Sequence, residues 1–215
     1  MNQIVSEKRY IQERLGIPYE NLSQSYLRAE TELTTASQYS FLLQRGQTTN
    51  PLVTERLLQL NDQFVITHFT LGMKYIAESA PSPEDHLLAE VHTFANPLAF
   101  LGANSPNARA LYNASFSWTI DRKQYLPAFP IRAFLRVPTA QYGVLGGTGG
   151  VKTQSDGYDN GLYGFFPSEP TLIDGRQTID ISAELGAGVT IETSGEHSVY
   201  AELEVRGYLV VNAKS

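Results

Sequence analysis

The feature that most restricts the fold of this sequence is the strict alternation of polar and apolar residues over positions 199–211. One side of the stretch is apolar, with Val199, Ala201, Leu203, Val205, Leu209 and Val211. The other side carries Tyr200, Glu202, Glu204, Arg206 and Tyr208. A period of two is typical of a half-buried β-strand, whereas a helix would scatter the apolar residues around its axis. Such a strand needs partner strands and a second layer over its apolar face, so the pattern predicts a layered β protein.

Similar stretches recur along the chain between turn-forming residues. We predict strands over residues 32–43, 64–76, 87–94, 110–120, 131–137, 179–185 and 199–211, with Val189 and Ile191 continuing the pattern. Residues 81–85 are expected to form a turn, Pro127 and Pro130 a break, and residues 52–60 either a short helix or a strand. The sequence therefore predicts a mainly β fold, an antiparallel β-sandwich or jelly roll of about eight strands.

The predicted strand over residues 64–76 is apolar on both faces. Val65 and Phe69 are expected on one face, and Phe64 and Ile66 on the other. A strand with two apolar faces is typical of a position where both sides of the sheet are covered.

Composition sets the size of the core and excludes several classes of site. The chain has 215 residues, of which 42% are hydrophobic and 18% charged, which suits one folded domain with a sizeable core. The net charge is −6 and no basic stripe offsets it, so direct nucleic-acid binding is not expected. There is no cysteine, which excludes disulfides, thiolate nucleophiles and cysteine-based zinc sites.

The first 30 residues differ in character from the rest. Ile4, Ile11 and Leu15 share one face of a predicted helix that Gly16 and Pro18 end. This apolar stripe is thin, so the helix must dock on something to be stable. We predict an N-terminal, partly helical arm over residues 1–30 and a sandwich domain over residues 31–215. The arm either packs on its own domain or reaches a neighbouring molecule.

The start of the chain carries no apolar stretch of the kind that a signal peptide requires. Residues 1–10 are polar and charged, so we expect no signal peptide. No apolar run in the sequence is long enough for a transmembrane helix.

Residues 141–170 form a long, Gly-rich segment with an unusual share of aromatic residues. Such a segment either folds back onto the core or contacts a partner. We therefore predict partner contacts at the three apolar positions of the arm and at five aromatic positions of this segment: Ile4, Ile11, Leu15, Tyr142, Tyr158, Tyr163, Phe165 and Phe166.

No sequence motif indicates catalysis or metal binding. The four histidines do not form a His-x-His pattern, so we expect no bound metal, no cofactor and no enzymatic activity. Glu202 and Glu204 are two carboxylates on one strand face, which we interpret as solvated with Arg206 as their partner. Residues 156–161 contain Asp, Asn and Gly, and turn formation explains them better than a calcium loop does.

The predicted architecture over residues 32–211, with an arm before it, resembles the jelly-roll structural proteins of icosahedral viruses and phages. The resemblance implies a self-assembling shell component, made in the host cytoplasm and located in the virion. Its partners would be copies of itself and other structural proteins of the particle. The chain departs from shells that bind their genome through basic arms, because Glu7 and Glu13 offset Lys8, Arg9 and Arg14.

Two alternatives remain open. A carbohydrate- or receptor-binding β-sandwich would use the Tyr-rich segment as its site, although the single Trp118 falls in a predicted strand and not in a loop. A hydrolase would have to assemble its site from distant residues such as His92, Asp121 and Glu184, and nothing in their spacing favours this.

Overall fold

The computed structural model describes residues 3–93, 109–135, 169–191 and 197–211. These residues form nine β-strands in two antiparallel sheets, with a helix at the N-terminal end. The prediction of a mainly β, antiparallel sandwich with a partly helical arm is confirmed.

Sheet A has the strand order β1-β9-β3-β4, and a further strand, β7, also pairs with β3. The long central strand β9 pairs with β1 on one side and with β3 on the other over nearly its whole length. The strand bounds are β1 Leu22–Glu32, β3 Gln63–Ile76, β4 Val91–His92, β7 Thr171–Asp174 and β9 Ser198–Val210.

Sheet B has the strand order β2-β8-β5-β6. Its strands are β2 Gln38–Phe41, β5 Ser115–Ile120, β6 Lys123–Pro130 and β8 Ile179–Glu184. With the two-residue β4 set aside, the pairing is nested along the chain: β1 pairs with β9, β2 with β8, β3 with β7, and β5 with β6.

The core lies between the two sheets. The odd-numbered residues of β9 and β8 point into it as the alternation predicted, and Val205, Leu203, Ile181 and Ala183 are all buried there. Phe69 of β3 packs edge-on against two rings of β5, at 5.7 Å from Phe116 and 5.0 Å from Trp118. Aromatic pairs with this geometry add to the stabilisation that burial provides.

Strand β3 contains a β-bulge that changes the predicted face of its first residues. The register with β9 shifts between Ile66 and His68, which leaves Thr67 as the extra residue. Phe64 and Ile66 therefore point into the core with Phe69, and Val65 points outward. The prediction that both faces of this strand are covered is confirmed, but the placement of Val65 beside Phe69 was wrong.

The N-terminal region divides into a helix and a strand of sheet A. Helix α1 spans Gln3–Leu15 and ends at Gly16, whose φ of 69° suits glycine. From Leu22 the chain is part of sheet A, which shortens the predicted arm of residues 1–30 to the residues before β1. The strand predicted over residues 32–43 is also corrected, because β1 ends at Glu32 and β2 starts at Gln38.

Other predicted strands are shorter than expected or replaced by helical turns. Helix α2, Pro83–Leu88, takes the place of the turn over residues 81–85 and of the start of the strand over residues 87–94. Its first turn is closed by a capping box between Ser82 and Asp85. Of the described residues of that predicted strand, 87–93, only Val91 and His92 form a strand.

Around Pro127 and Pro130 the strand and the break lie in the opposite order to the prediction. Pro127 and Pro130 lie within β6, because an edge strand tolerates residues without a backbone N–H. The strand predicted over residues 131–137 starts instead with a 3₁₀ turn, Ile131–Phe134, and the strand predicted from residue 110 starts only at Ser115. Residues 52–60 form neither a helix nor a strand, and Val189 lies outside the strands.

Candidate functional site

The outer face of sheet A, which points away from the core, carries the most unusual chemistry of the described residues. Helix α1 covers one end of this face and α2 lies over the other. Near and beneath α2 lies a set of charged and titratable side chains that we call the ionic cluster: Arg28, Glu30, Lys74, His86, Glu202 and Glu204.

Strand pairing brings the ionic cluster together. Glu30 of β1 is directly opposite Glu202 of β9, and Arg28 is opposite Glu204. Lys74 of β3 is opposite Tyr200, and Glu202, two residues further along β9, is its diagonal neighbour on the same face. Residues opposite or diagonal to each other on one sheet face are within reach of long side chains.

Lys74 joins the two buried carboxylates. Its Nζ donates a hydrogen bond to Glu30 Oε1 at 2.6 Å and lies 2.7 Å from Glu202 Oε2. The exposed fractions of the side chains are 2% for Lys74, 0% for Glu30 and 6% for Glu202. Charged groups this buried are stable only when paired, so these three side chains depend on one another.

Arg28 links the buried pair to the rim of the face. Its Nη2 donates to Glu204 Oε2 at 3.1 Å, and its Nε lies 3.5 Å from Glu202 Oε1. Burial alone would lower the pKa of Arg28, but Glu202 and Glu204 outweigh it and raise that pKa. Burial raises the pKa of Glu202, although Lys74 and Arg28 act in the opposite direction.

His86 is the contact of α2 with the ionic cluster, and it is the only buried residue of that helix. Its ring packs edge-on against Tyr200 at 4.8 Å. Its Nδ1 lies 3.7 Å from Glu30 Oε2, which is too long for a hydrogen bond. Among the residues that the structure describes, neither of these two buried atoms has a hydrogen-bond partner.

The interpretation of Glu202 and Glu204 as solvated was wrong for Glu202. Glu202 is buried and paired with Lys74, whereas Glu204 does accept a hydrogen bond from Arg206 as expected. The signal that could have predicted the buried ion pair is a pair of opposite charges, Glu202 and Lys74, on the neighbouring strands β9 and β3. These two residues can be recognised as neighbours only once the strand register is known. α2 and sheet A together leave the carboxylates of Glu30 and Glu202 almost without solvent exposure.

The predicted contact residues of the arm lie on the other end of the same face. Ile11 is fully buried among Leu22, Val65, Tyr208 and Val210, Leu15 packs at the edge of this group, and Ile4 is 38% exposed. The five aromatic positions, Tyr142, Tyr158, Tyr163, Phe165 and Phe166, lie outside the described residues. Partner contact by all eight residues therefore stays a prediction.

A polar contact accompanies the apolar docking of α1. Tyr208 Oη donates a hydrogen bond to Glu7 Oε2 at 2.8 Å, and the Glu7 carboxylate also lies 4.0 Å from His68 Nδ1. Burial, followed by the hydrogen bond to Glu7, raises the pKa of Tyr208. Burial lowers the pKa of His68, against the effect of Glu7.

A cavity of about 460 Å³ lies where the end of α1 meets β5, β6 and β7. Trp118 and Tyr125 are stacked in its wall, with ring centroids 4.9 Å apart, and Lys123 Nζ lies 4.7 Å from the centre of the Tyr125 ring. Its lining residues include Leu15, Trp118, Lys123, Tyr125, Leu126 and Glu169.

The residues considered for a hydrolase site do not meet. Asp121 follows the end of β5 that pairs with Ile179, whereas Glu184 pairs with the opposite end of β5 at Ser115. They are therefore roughly 20 Å apart along the strands. His92 belongs to sheet A.

Within residues 3–93, 109–135, 169–191 and 197–211, no three His, Asp or Glu side chains are placed to hold a metal ion. None of the helices in this part of the chain has the length and apolar character needed to cross a membrane.

No protein-family model, no curated protein and no solved structure matches this chain.

Proposed function

We propose that this chain is a structural subunit that self-assembles into the shell of a virus particle. The observation that carries the proposal is the nested strand pairing, in which the first strand pairs with the last and each later pair lies inside the previous one. This order supports assignment as a jelly roll, an arrangement used by viral capsid proteins, lectins and cupins. The acidic net charge favours protein–protein contacts over genome binding in this proposal.

The arm supplies the means of assembly in this proposal. Among the described side chains of α1, only Ile11 is buried, so the helix is held by a small contact. Gly16 ends the helix with a positive φ, and Pro18 follows before β1 begins. A short element on such a connection exchanges between identical subunits at low cost, because the same contact forms on the neighbour's sheet.

The sheet edges favour assembly through the arm over extension of the sheets. The β6 edge of sheet B contains Pro127 and Pro130, which cannot donate hydrogen bonds to an added strand. The β1 edge of sheet A is occupied, since Arg28 and Arg56 exchange two backbone hydrogen bonds, at 2.9 and 3.0 Å.

The test is deletion of residues 1–17, which removes α1 and leaves β1 whole. The truncated chain should keep its β-rich circular dichroism spectrum and melt cooperatively. It should sediment as a smaller species than the full chain, and electron microscopy should show particles for the full chain alone. Deleting residues 1–30 would be a poor test, because it removes most of a strand that pairs with β9.

The matched control is an exchange experiment between tagged copies. Mixed subunits should form hetero-assemblies when both carry α1 and should not when both lack it. A full-length chain that is monomeric at every concentration contradicts self-assembly of the isolated protein, and a truncated chain that assembles normally contradicts the role of α1.

A second candidate function, small-ligand or carbohydrate binding, is favoured by the cavity beside Trp118. Its volume of about 460 Å³ lies in the range of ligand sites, and it combines aromatic walls with Lys123 and Glu169. Stacking of a sugar ring on Tyr125 would have to compete with the contacts that this ring already makes with Trp118 and Lys123.

The fluorescence of Trp118 tests this second candidate directly, because it is the only tryptophan in the chain. A panel of mono- and disaccharides should shift its emission in the wild type and not in Tyr125→Ala, with circular dichroism confirming that the variant folds. No shift for any sugar, at millimolar concentration, contradicts carbohydrate binding at this cavity.

A further inference from the structure

Helix α2 is attached to the outer face of sheet A in an unusual way. It is six residues long, and its single buried side chain is His86. Leu87 and Leu88, which would anchor an ordinary helix, are 61% and 74% exposed. The attachment of α2 therefore depends on a titratable group and not on apolar packing.

The surroundings of His86 contain an acceptor that no donor satisfies. Lys74 Nζ hydrogen-bonds Glu30 Oε1, so the second oxygen, Oε2, faces His86 Nδ1 across 3.7 Å. Both atoms are buried and, among the described residues, lack a hydrogen-bond partner. A buried carboxylate oxygen without a donor is costly, and a small movement of a protonated imidazole would satisfy it.

We propose that α2 is a proton-dependent latch on the outer face of sheet A. When His86 takes up a proton, both of its ring nitrogens become donors and Nδ1 donates a charge-assisted hydrogen bond to Glu30 Oε2. When one proton leaves, the neutral ring can still donate from Nδ1, but the bond to Glu30 is no longer charge-assisted and the hold of His86 on sheet A weakens.

The groups around His86 set the direction of the effect. Glu30 faces it from β1, Tyr200 faces it from β9, and Asp85 is its neighbour on α2. Lys74 of β3 and Glu202 of β9 bind each other behind Glu30. Lys74 already satisfies Glu30 Oε1, so the bond that His86 gains is to the other oxygen and does not compete with it.

Hydrogen exchange measured by NMR on the full chain tests the latch. The reporters are the backbone amides of His86 and Ala89, which donate to Ser82 and Asp85 within α2. Their protection factors, corrected for the pH dependence of intrinsic exchange, should rise by about tenfold between about pH 8 and about pH 6. Amides of β9 in the same sample report global stability, so the ratio of the two isolates the local change.

Three variants test whether His86 and Glu30 cause the pH dependence of this ratio. His86→Gln and Glu30→Gln should each remove the pH dependence of the ratio. His92→Gln, which changes another buried histidine in the adjacent β4, should leave the dependence unchanged. A wild-type ratio that does not vary with pH overturns the proposal, as does pH dependence that persists in His86→Gln or disappears in His92→Gln.

The result does not depend on assembly. If Glu30→Gln fails to fold, the wild type and the two histidine variants still give the answer. A pH-dependent ratio in a chain that remains monomeric supports the latch while contradicting the proposed shell function.

Discussion

The two ends of the outer face of sheet A are covered by different chemistry. Under α1 the contact is apolar, with Ile11 buried among Val65, Tyr208 and their neighbours. Near α2 it is ionic, with His86 over Glu30 and the ion pairs of Lys74. The same strands, β1, β3 and β9, run under both ends. The side chains that these strands direct outward therefore determine whether the contact with the helix is apolar or ionic. Apolar contacts tolerate small shifts, whereas buried charges require every partner to be present.

The largest expected effect is at the ionic end. Lys74→Met leaves Glu30 and Glu202 buried without their shared cation, and it should lower the free energy of unfolding by about 3–5 kcal/mol in urea titrations. The matched control replaces all three residues, as Glu30→Leu, Lys74→Met and Glu202→Leu, and should recover most of the loss. A single variant as stable as the wild type would mean that this end does not depend on complete charge pairing.

An intermediate effect is expected at the apolar end. Ile11→Ala should lower the free energy of unfolding by about 2 kcal/mol, the lower end of the range for buried isoleucine, because α1 can relax or detach. Ile4→Ala changes an exposed residue of the same helix and should stay within about 0.5 kcal/mol of the wild type. Equal losses in the two variants would show that α1 is not docked through Ile11.

The smallest effect tests the polar contact within the apolar end. Tyr208→Phe removes the hydrogen bond to Glu7 and should cost about 1 kcal/mol at neutral pH. The pKa of Tyr208 is raised in the folded state, so its contribution is present below the ordinary tyrosine pKa and is lost as pH rises through the higher folded value. Urea unfolding at neutral and alkaline pH should show the wild type losing more stability with pH than Tyr208→Phe.

The inner faces of the sandwich could be predicted because their signal is local. In β8, and in β9 from Val199 to Val205, every second residue is apolar and buried, so the period alone identifies both the strand and the buried side. The prediction does not hold at the end of β9, where Leu209 is only partly buried and Val211 is 42% exposed. The bulge in β3 could not be predicted in this way. Thr67 and His68 suit a regular strand, and one extra residue reverses the faces of all residues before it.

The ionic cluster escaped prediction for a different reason. Glu30 and Lys74 lie in β1 and β3, which are not neighbours in sheet A, because β9 runs between them. Their ion pair depends on two registers at once, whereas a charged residue read alone is most simply interpreted as exposed. β1 was missed because Ser23 and Ser25 occupy the same alternate positions as the buried Leu27 and Ala29, so its inward face has no continuous apolar pattern.

The nested pairing also governs when the protein can fold. β1 and β3 do not pair with each other, and β1 has β9 as its strand partner, so that Leu22 meets Val210 only after all the residues between them have been synthesised. Until then β1 lacks its strand partner and presents an edge that other nascent chains could join. Such distant contacts predict slow folding, which leaves β1 open to aggregation for longer than a strand whose partner is near in sequence.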